Sequence, residues 1–332
     1  MATYLIYNFA VYFKSLHNPI LKSWSPKLLA HHERTFISWK NLVKCPTTKG
    51  GTGGGAKKQI SPRRLFKIYR YGGIAQKGVP KMQTFELDVS KCGPMVLDAM
   101  IKLKDMDPTF TFRRSCREGI CGSCAICLQG KNCLACITAI PKAKTITLHP
   151  LPHMYVLRDL VVDMTHFLNQ YNSIRPYLIR KSTPRSMGQF QYAQSDADWH
   201  KFVGLYECVL CACCATSCPS YWWNGRRFLG PASLLHAYRW VIDSRDEDTF
   251  NRLCDLRDDF KAFRCHTILN CALACPKGLN PGLAIARLKR LITGLDKKPP
   301  PEFDPLKLRS GSGSGKPSLE ECIKAKLKKK KC

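Results

Sequence analysis

Alternation of apolar and polar residues predicts that folded sequence begins near Pro62. Residues 65–71 and 83–89 each place every second side chain on one apolar face, which predicts two paired β-strands. Residues 94–104 instead repeat their apolar positions at helical spacing. The apolar residues of this predicted helix are Val96, Met100 and Leu103. A hairpin followed by a helix is typical of the start of a small mixed domain.

The pattern changes from mixed to helical along the chain. Residues 145–149 predict a closing strand, residues 159–167 a helix that leaves the first domain, and the polar, proline-containing residues 172–198 a connector. Beyond the connector, Asn280 and Pro281 form a cap and first-turn pair. Apolar residues recur at helical spacing in two segments of this region. The first contains Leu234, Leu235, Tyr238, Val241 and Ile242, and the second, after the cap, contains Ala284, Leu288 and Leu291. We therefore expect a helical second domain.

The length of the chain is sufficient for two domains, and its positive charge is concentrated at the two ends. The chain has 332 residues and a net charge of +29. Residues 1–85 hold 15 Lys and Arg against a single acid, Glu33, and residues 296–332 are also basic. A nucleic-acid binder would more typically show a basic face with aromatic residues or a recognised reading module. Because neither is evident, we do not expect a nucleic-acid partner.

The two ends of the chain have the composition of accessory segments. The first 45 residues are nearly free of acids and resemble a mitochondrial transit peptide, although they contain little arginine. A glycine-rich stretch, residues 50–55, predicts a flexible linker. No segment approaches the ~20 apolar residues that a membrane-spanning helix needs. The predicted organisation is a leader and linker at 1–61, a first domain at 62–170, a second at 171–295 and a disordered basic tail at 296–332.

Two cysteine runs in the second domain carry the clearest chemistry. The first contains Cys208, Cys211, Cys214 and Cys218, and the second contains Cys265, Cys271 and Cys275. Each run ends in Cys-Pro, and the spacing of three, three and four residues is that of bacterial ferredoxins, in which the fourth cysteine ligates the other cluster. The two runs therefore predict two clusters.

The second run lacks one cysteine, because Ile268 occupies the position that a full copy would give to a ligand. One cluster then has only three thiolates, as a 3Fe-4S cluster requires. The predicted ligands are Cys208, Cys211, Cys214 and Cys275 for a 4Fe-4S cluster and Cys218, Cys265 and Cys271 for a 3Fe-4S cluster. Cys213 is spare. Zinc sites usually use two separated pairs of ligands, and the odd count of 19 cysteines argues against a disulfide framework.

The first domain contains a third cluster motif. Its cysteines are Cys116, Cys121, Cys124 and, after eleven intervening residues, Cys136, which is the plant-type 2Fe-2S spacing. Gly119 and Gly122 allow positive φ angles and bring backbone N–H groups toward the cluster sulfurs. The nearby Cys127 and Cys133 are interpreted as small buried thiols rather than alternative ligands.

At these residues the chain resembles the iron–sulfur subunit of mitochondrial succinate dehydrogenase, respiratory complex II. The resemblance covers roughly residues 62–295, with longer tails and additional cysteines in the first domain as departures. Its motifs are Ser115 to Cys124, Leu205 to Asn224, Arg264 to Ile268 and Cys275 to Pro281. A specialised second copy of the subunit would also show such departures.

The resemblance implies an α+β fold, in which a β-grasp 2Fe-2S domain precedes an all-helical ferredoxin domain. It implies an enzyme subunit that passes electrons from an FAD-containing flavoprotein subunit, where succinate is oxidised, through the three clusters to ubiquinone. Two membrane-anchor subunits and a location on the matrix side of the mitochondrial inner membrane are implied as well. By similarity, the quinone pocket is lined by Pro219, Ser220, Trp223, His266 and Ile268.

Two other functions remain open from the sequence. The same architecture serves quinol:fumarate reductase, which runs the reaction in reverse and which the ligand set alone does not exclude. A non-catalytic iron–sulfur or nucleic-acid-binding protein that uses its basic tails is the second alternative. The basic amino terminus favours mitochondria, and therefore the oxidation of succinate.

Overall fold

A computed structural model describes residues 63–73, 78–181, 192 and 194–301. The described residues all lie within one compact unit, Ile60–Cys332. The predicted leader and linker, together with residues 302–332 of the predicted tail, lie outside the described part of the chain.

A five-stranded mixed sheet forms the first domain. Its strands are β1 (Arg63–Arg70), β2 (Lys81–Asp88), β3 (Ala125–Leu128), β4 (Lys131–Leu134) and β5 (Thr145–His149). They lie in the order β2-β1-β5-β3-β4, with β1 antiparallel to β2 and parallel to β5. This order, with a helix against the sheet, is that of a β-grasp fold. The predicted hairpin is confirmed, and the strand at residues 145–149 lies inside the sheet.

Helix α1 (Val96–Met106) supplies the apolar face that covers the sheet. Val96, Met100 and Leu103 are fully buried, as the helical spacing predicts. They pack in one core with strand residues such as Phe66 and Leu148. A short 3₁₀ turn, Val89–Lys91, connects β2 to this region. Each Å² of apolar surface buried between the helix and the sheet stabilises the fold by about 25 cal/mol.

The helix predicted at residues 159–167 begins later than expected. A small hairpin, β6 (Val156–Arg158) and β7 (Val161–Val162), precedes α2 (Thr165–Ser173). The reason lies at Asp159, whose buried carboxylate accepts hydrogen bonds from Arg70 Nε at 3.0 Å and the Thr111 amide at 2.8 Å. These long-range bonds fix Asp159 in a turn, at a φ of 46°, and exclude a helix there.

The regular elements described after residue 194 are helices. They are α3 (Asp196–His200), α4 (Cys213–Thr216), α5 (Pro219–Asn224), α6 (Gly230–Val241), α7 (Thr249–Leu256), α8 (Asn270–Leu273) and α9 (Pro281–Ile292). Almost all of α6 is buried, and α9 packs along it. The Asn280 side chain accepts the Leu283 amide at 3.0 Å, which confirms the predicted cap of α9.

The described chain continues to residue 301, beyond the predicted domain end at 295. Asp296 pairs with Arg290 at 2.6 Å, and Lys298 Nζ donates to the Asp246 carbonyl at 2.9 Å and to Thr249 Oγ1 at 2.8 Å. The first residues of the predicted tail are therefore anchored. Within the described residues, no helix combines the length and the apolar character needed to cross a bilayer.

Candidate iron–sulfur centres

Backbone amides surround the first predicted cluster ligand. The sulfur of Cys116 accepts the N–H groups of Ile120 and Cys121 at 3.3 Å and that of Glu118 at 3.5 Å. These hydrogen bonds lower the pKa of the Cys116 thiol to about 6, and the bond from the Glu118 amide has the largest effect. The loop is therefore built to hold a thiolate, which is the form that binds iron. The predicted approach of N–H groups toward sulfur is confirmed for this residue.

The other three predicted 2Fe-2S ligands lie together beside this loop. Cys124 and Cys136 are buried with their sulfurs in hydrogen-bond contact, while Cys121 is exposed and lies close enough to act on Cys124 electrostatically. Burial, followed by the effects of Cys136 and Cys121, raises the pKa of Cys124 to about 12. A buried thiolate of this kind needs a cationic partner, and cluster iron provides one.

The two glycines of the loop have the backbone conformation that the sequence predicts. The φ angles are +76° at Gly119 and +71° at Gly122. A β-carbon on Gly119 would lie 2.9 Å from Ile137 Cγ2. A side chain at either position would therefore be strained, and at Gly119 it would also collide with a neighbouring side chain.

In the second domain, the last cysteine of each run lies with the cysteines of the other run. Cys208, Cys211 and Cys214 line one small cavity with Cys275 from the second run. Cys218, Cys265 and Cys271 line another. The spacing predicted this exchange, and the placement of all seven cysteines agrees with it.

Burial raises the pKa of most of these thiols. It raises the pKa of Cys208 to about 11 and holds the pKa of Cys214 well above its usual range. Neighbouring cysteines of the same group add to both shifts. In the other group, the pKa of Cys271 is raised to about 11. Burial is the main cause, and the charges of Cys218 and Cys265 add to it. Each group thus concentrates sulfur ligands that are unfavourable as thiolates without a bound cation. This donor set fits iron–sulfur clusters.

The two runs share one backbone conformation. Leu210 and Ala212 have φ angles of 53° and 64°, and the equivalent Thr267 and Leu269 have 58° and 67°. A short helix follows each run, α4 in the first and α8 in the second. Left-handed conformations are costly for residues other than glycine and tend to cluster at functional sites. The second run therefore keeps a ligand-binding loop geometry although Ile268 replaces cysteine.

Four of the five predicted quinone-binding residues lie around the second cavity. Pro219, Ser220, His266 and Ile268 line it with the three cysteines, and Ile268 is 51% exposed. Trp223 is 75% exposed and lines a different cavity of about 570 Å³. The structure therefore does not bring Trp223 into the cavity that contains the other four.

Trp222, which precedes Trp223 in α5, makes its contacts inside the described structure. The Trp222 indole N–H donates to the Thr216 carbonyl at 2.7 Å, so it is already engaged inside the domain. The ring of Trp222 stacks on His153 at a centroid distance of 4.1 Å. The sequence offers no signal for this contact, because His153 lies in the first-domain region far from the tryptophans in the chain.

The two cluster regions touch directly. A β-carbon on Gly122 would lie 2.7 Å from the Val209 carbonyl oxygen and 3.2 Å from the Cα and Cβ atoms of Cys211. Asn132 Nδ2, on β4, donates to the Cys213 carbonyl at 3.0 Å and to Thr216 Oγ1 at 2.9 Å. A predicted 2Fe-2S loop and a predicted 4Fe-4S ligand are therefore in van der Waals contact. Sequence reasoning missed both Gly122 as a contact residue and Asn132.

In the described ranges, no group of three or more His, Cys, Asp or Glu side chains is arranged to hold a metal ion. Ligands of one zinc ion converge within about 2.0–2.3 Å of a single point. The ligands of an iron–sulfur cluster, in contrast, bind different iron atoms and need not converge on a single point.

Comparison with known families places both domains. Residues 65–169 match the 2Fe-2S iron-sulfur cluster binding domain family. Residues 207–280 match the 4Fe-4S dicluster domain family. The chain thus contains two regions that match iron–sulfur domains, within one α+β architecture.

A solved structure agrees at the level of the fold. A chain of the Mycobacterium smegmatis Sdh1 complex in the apo form is 21% identical, with a TM-score of 0.60 over 70% of this chain and 97% of that one. A hypothetical protein from Helicobacter pylori is 16% identical, with a TM-score of 0.45 over 72% of this chain and 41% of that one. The first shows a shared fold, and no argument rests on the second.

Substitution of Gly122 tests the contact between the two cluster regions. In Gly122→Ala the new methyl group meets Val209 and Cys211, so we expect weaker domain contact in addition to backbone strain of about 1–2 kcal/mol. Gly130→Ala is the matched control, because Gly130 has a φ of +80° and open space around its Cα. Thermal unfolding of the cluster-loaded chain and dipolar broadening of its EPR signals measure the difference. Equal effects of the two substitutions would show that the contact contributes nothing.

Proposed function

We propose that this chain is the iron–sulfur subunit of a succinate dehydrogenase, carrying electrons one at a time from a flavoprotein to ubiquinone. The observation that carries the proposal is the serial arrangement of three cysteine groups, joined first by the Gly122–Cys211 contact and then by the exchange of cysteines between the two runs. The motifs that resemble this subunit lie on these groups.

Each cysteine group has an assigned occupant in the proposal. The 2Fe-2S cluster is held by Cys116, Cys121, Cys124 and Cys136, the 4Fe-4S cluster by Cys208, Cys211, Cys214 and Cys275, and the 3Fe-4S cluster by Cys218, Cys265 and Cys271. When bound, such clusters accept and release single electrons. The chain's own contribution is to donate amides to sulfur at Cys116 and to keep Cys214 and Cys271 buried away from water.

The 2Fe-2S end is exposed in the way that a partner surface requires. Ile120, between two predicted ligands, is 59% exposed, and Cys121 is exposed as well. An apolar side chain beside an accessible ligand favours close docking of a redox partner. We assign this end to the flavoprotein subunit, which would carry the FAD.

The opposite end exposes apolar side chains around the second cavity. Leu273, at the end of α8, is 86% exposed but does not line this cavity. Ile268 and Leu269, which line it, are exposed. Pro219, Ser220 and His266 lie beside them, so an apolar ring with a polar edge fits a quinone at this surface. We assign this end to ubiquinone and two membrane-anchor subunits, with Trp223 contributing from the neighbouring cavity. The corresponding location is the matrix face of the mitochondrial inner membrane.

Cluster content is the first test of the proposed function. Filling all three groups gives about nine irons per chain, since the cluster types contain two, four and three. Iron and zinc analysis, with low-temperature EPR of the complex reduced by succinate, measures this. A double Cys127→Ala and Cys133→Ala variant should keep the full content, because neither thiol is a proposed ligand. Bound zinc with a count near four irons would refute the assignment.

Substitution of Ile268 tests the incomplete site. Since the backbone of this run matches that of the complete run, Ile268→Cys should present a fourth thiolate and convert some or all of the three-iron cluster to a cubane. A change of cluster type and charge alters the potential, so quinone reduction should slow while reduction of artificial acceptors by succinate persists. EPR and both activities provide the measurements.

Leu269→Cys is the matched control for this experiment. Leu269 lines the same cavity and is also exposed, but its counterpart in the complete run is Ala212 rather than a cysteine. We expect its three-iron EPR signal to match that of the unmodified protein. Retention of that signal and of normal quinone reduction in Ile268→Cys would contradict the pairing of the two runs.

A further inference from the structure

Three aromatic rings meet at the cavity that contains Trp223. The His153 ring stacks on Trp222 with a centroid distance of 4.1 Å and an interplanar angle of 17°. Trp223 meets both rings edge-on, with centroid distances of 6.1 Å to His153 and 6.3 Å to Trp222. Aromatic rings attract each other in both of these geometries. All three side chains line the cavity of about 570 Å³.

Two of the three rings are held in place by the rest of the fold. The Trp222 indole N–H donates to the Thr216 carbonyl at 2.7 Å, which fixes the plane of that ring. His153 has a φ of 56° and lies in a turn between Leu151, which is in the core of the second domain, and Met154, which packs against it. Such left-handed conformations cluster at ligand sites. The turn therefore presents the His153 ring to both tryptophans.

Trp223 depends on these neighbours for its orientation. It is 75% exposed, so little packing restricts its side chain. An exposed side chain samples several rotamers, and a ligand that orders it loses affinity to the lost conformational freedom. Trp222 is adjacent to Trp223 in α5, so His153 supplies the ring contact from outside this helix.

We propose that His153 is a positioning residue for quinone binding, because it holds the Trp223 indole in the orientation that receives the quinone ring. The inference rests on the proposed function, since it takes Trp223 as a quinone-binding residue. In this role His153 acts through Trp223 and makes no bond of its own to the quinone. Ordering Trp223 in advance raises the affinity for quinone and leaves the electron-transfer steps unchanged.

Steady-state kinetics of the assembled complex with ubiquinone-1 test the proposal. His153→Gln keeps a polar side chain but removes the ring. We expect its KM for ubiquinone-1 to rise roughly two- to tenfold, the range that corresponds to ordering one side chain on binding. The kcat, and the reduction of an artificial acceptor by succinate, should not change. Isothermal titration calorimetry of ubiquinone-1 with the oxidised complex should show the same rise in Kd without turnover.

Two further variants separate stacking from other effects of the substitution. His153→Phe restores a ring that can stack on Trp222 and should restore the KM. His200→Gln is the matched control, because His200 also meets a tryptophan edge-on, Trp199 at 5.0 Å, but lies on α3 and does not line the cavity. Its KM should equal that of the unmodified complex. Failure of His153→Phe to restore the KM, in a complex with full cluster content by EPR, would overturn the positioning role.

A double variant shows whether His153 acts through Trp223. If it does, His153→Gln combined with Trp223→Ala has the same KM as Trp223→Ala alone, because the residue that His153 orders is already absent. A further rise in KM would show that His153 contacts the quinone itself and would overturn the proposal. This comparison decides the matter also where His153→Phe does not assemble.

The outcomes distinguish this inference from the proposed function. A complex that does not reduce ubiquinone-1 would refute the proposed function itself. An unchanged KM in Trp223→Ala would refute the quinone-binding role of Trp223 and, with it, the basis of the inference. A raised KM in Trp223→Ala, together with unchanged KM and Kd in His153→Gln, would refute only the role of His153.

Discussion

The exchange of the fourth cysteines between the two runs constrains the second domain more than any other interaction. Cys275 lies with the first three cysteines of the other run, and Cys218 lies with Cys265 and Cys271. The runs must therefore pack against each other before either group is complete. Ser217 and Asn270 support this packing, since Asn270 Nδ2 donates to the Ser217 carbonyl at 3.3 Å. The buried α6 and α9 then enclose the pair.

This arrangement couples folding to cluster binding. Thiols such as Cys208 and Cys214 are held where burial disfavours their charged form, and non-glycine residues such as Ala212 and Leu269 adopt left-handed backbone conformations. Both features cost free energy in the chain alone. In the proposed function, bonds from thiolate to iron would offset these costs, because a bound cation stabilises the thiolate and fixes the loop around it. The cluster loops are therefore parts of the second domain's core as well as its chemistry.

The contact between the two domains brings the cysteine group of the first domain next to the first cysteine group of the second domain. Gly122 lies against Cys211 without room for a side chain, and Asn132 binds the first turn of α4. A glycine in the 2Fe-2S loop thus serves two purposes: its positive φ angle shapes the loop, and its lack of a side chain allows the second domain to approach.

The grouping of the second-domain cysteines could be predicted because cluster ligation requires cysteine at fixed local spacing. Ile268 was informative for the same reason, and the cap at Asn280 and the hairpin of β1 and β2 follow equally local rules. Long-range contacts were not accessible from the sequence. The bonds of Asp159 to Arg70 and Thr111 delay α2, and the stacking of His153 on Trp222 joins segments distant in the chain. Neither leaves a periodic or spacing signal.

The crossing of Cys218 and Cys275 is tested most directly by replacing each one separately. EPR and Mössbauer spectra of Cys275→Ala and Cys218→Ala report the two clusters individually, with the 2Fe-2S signal as an internal reference in both samples. The account predicts that Cys275→Ala alters only the four-iron cluster and that Cys218→Ala alters only the three-iron cluster. The reverse pattern, in which each run holds its own fourth cysteine, would contradict it.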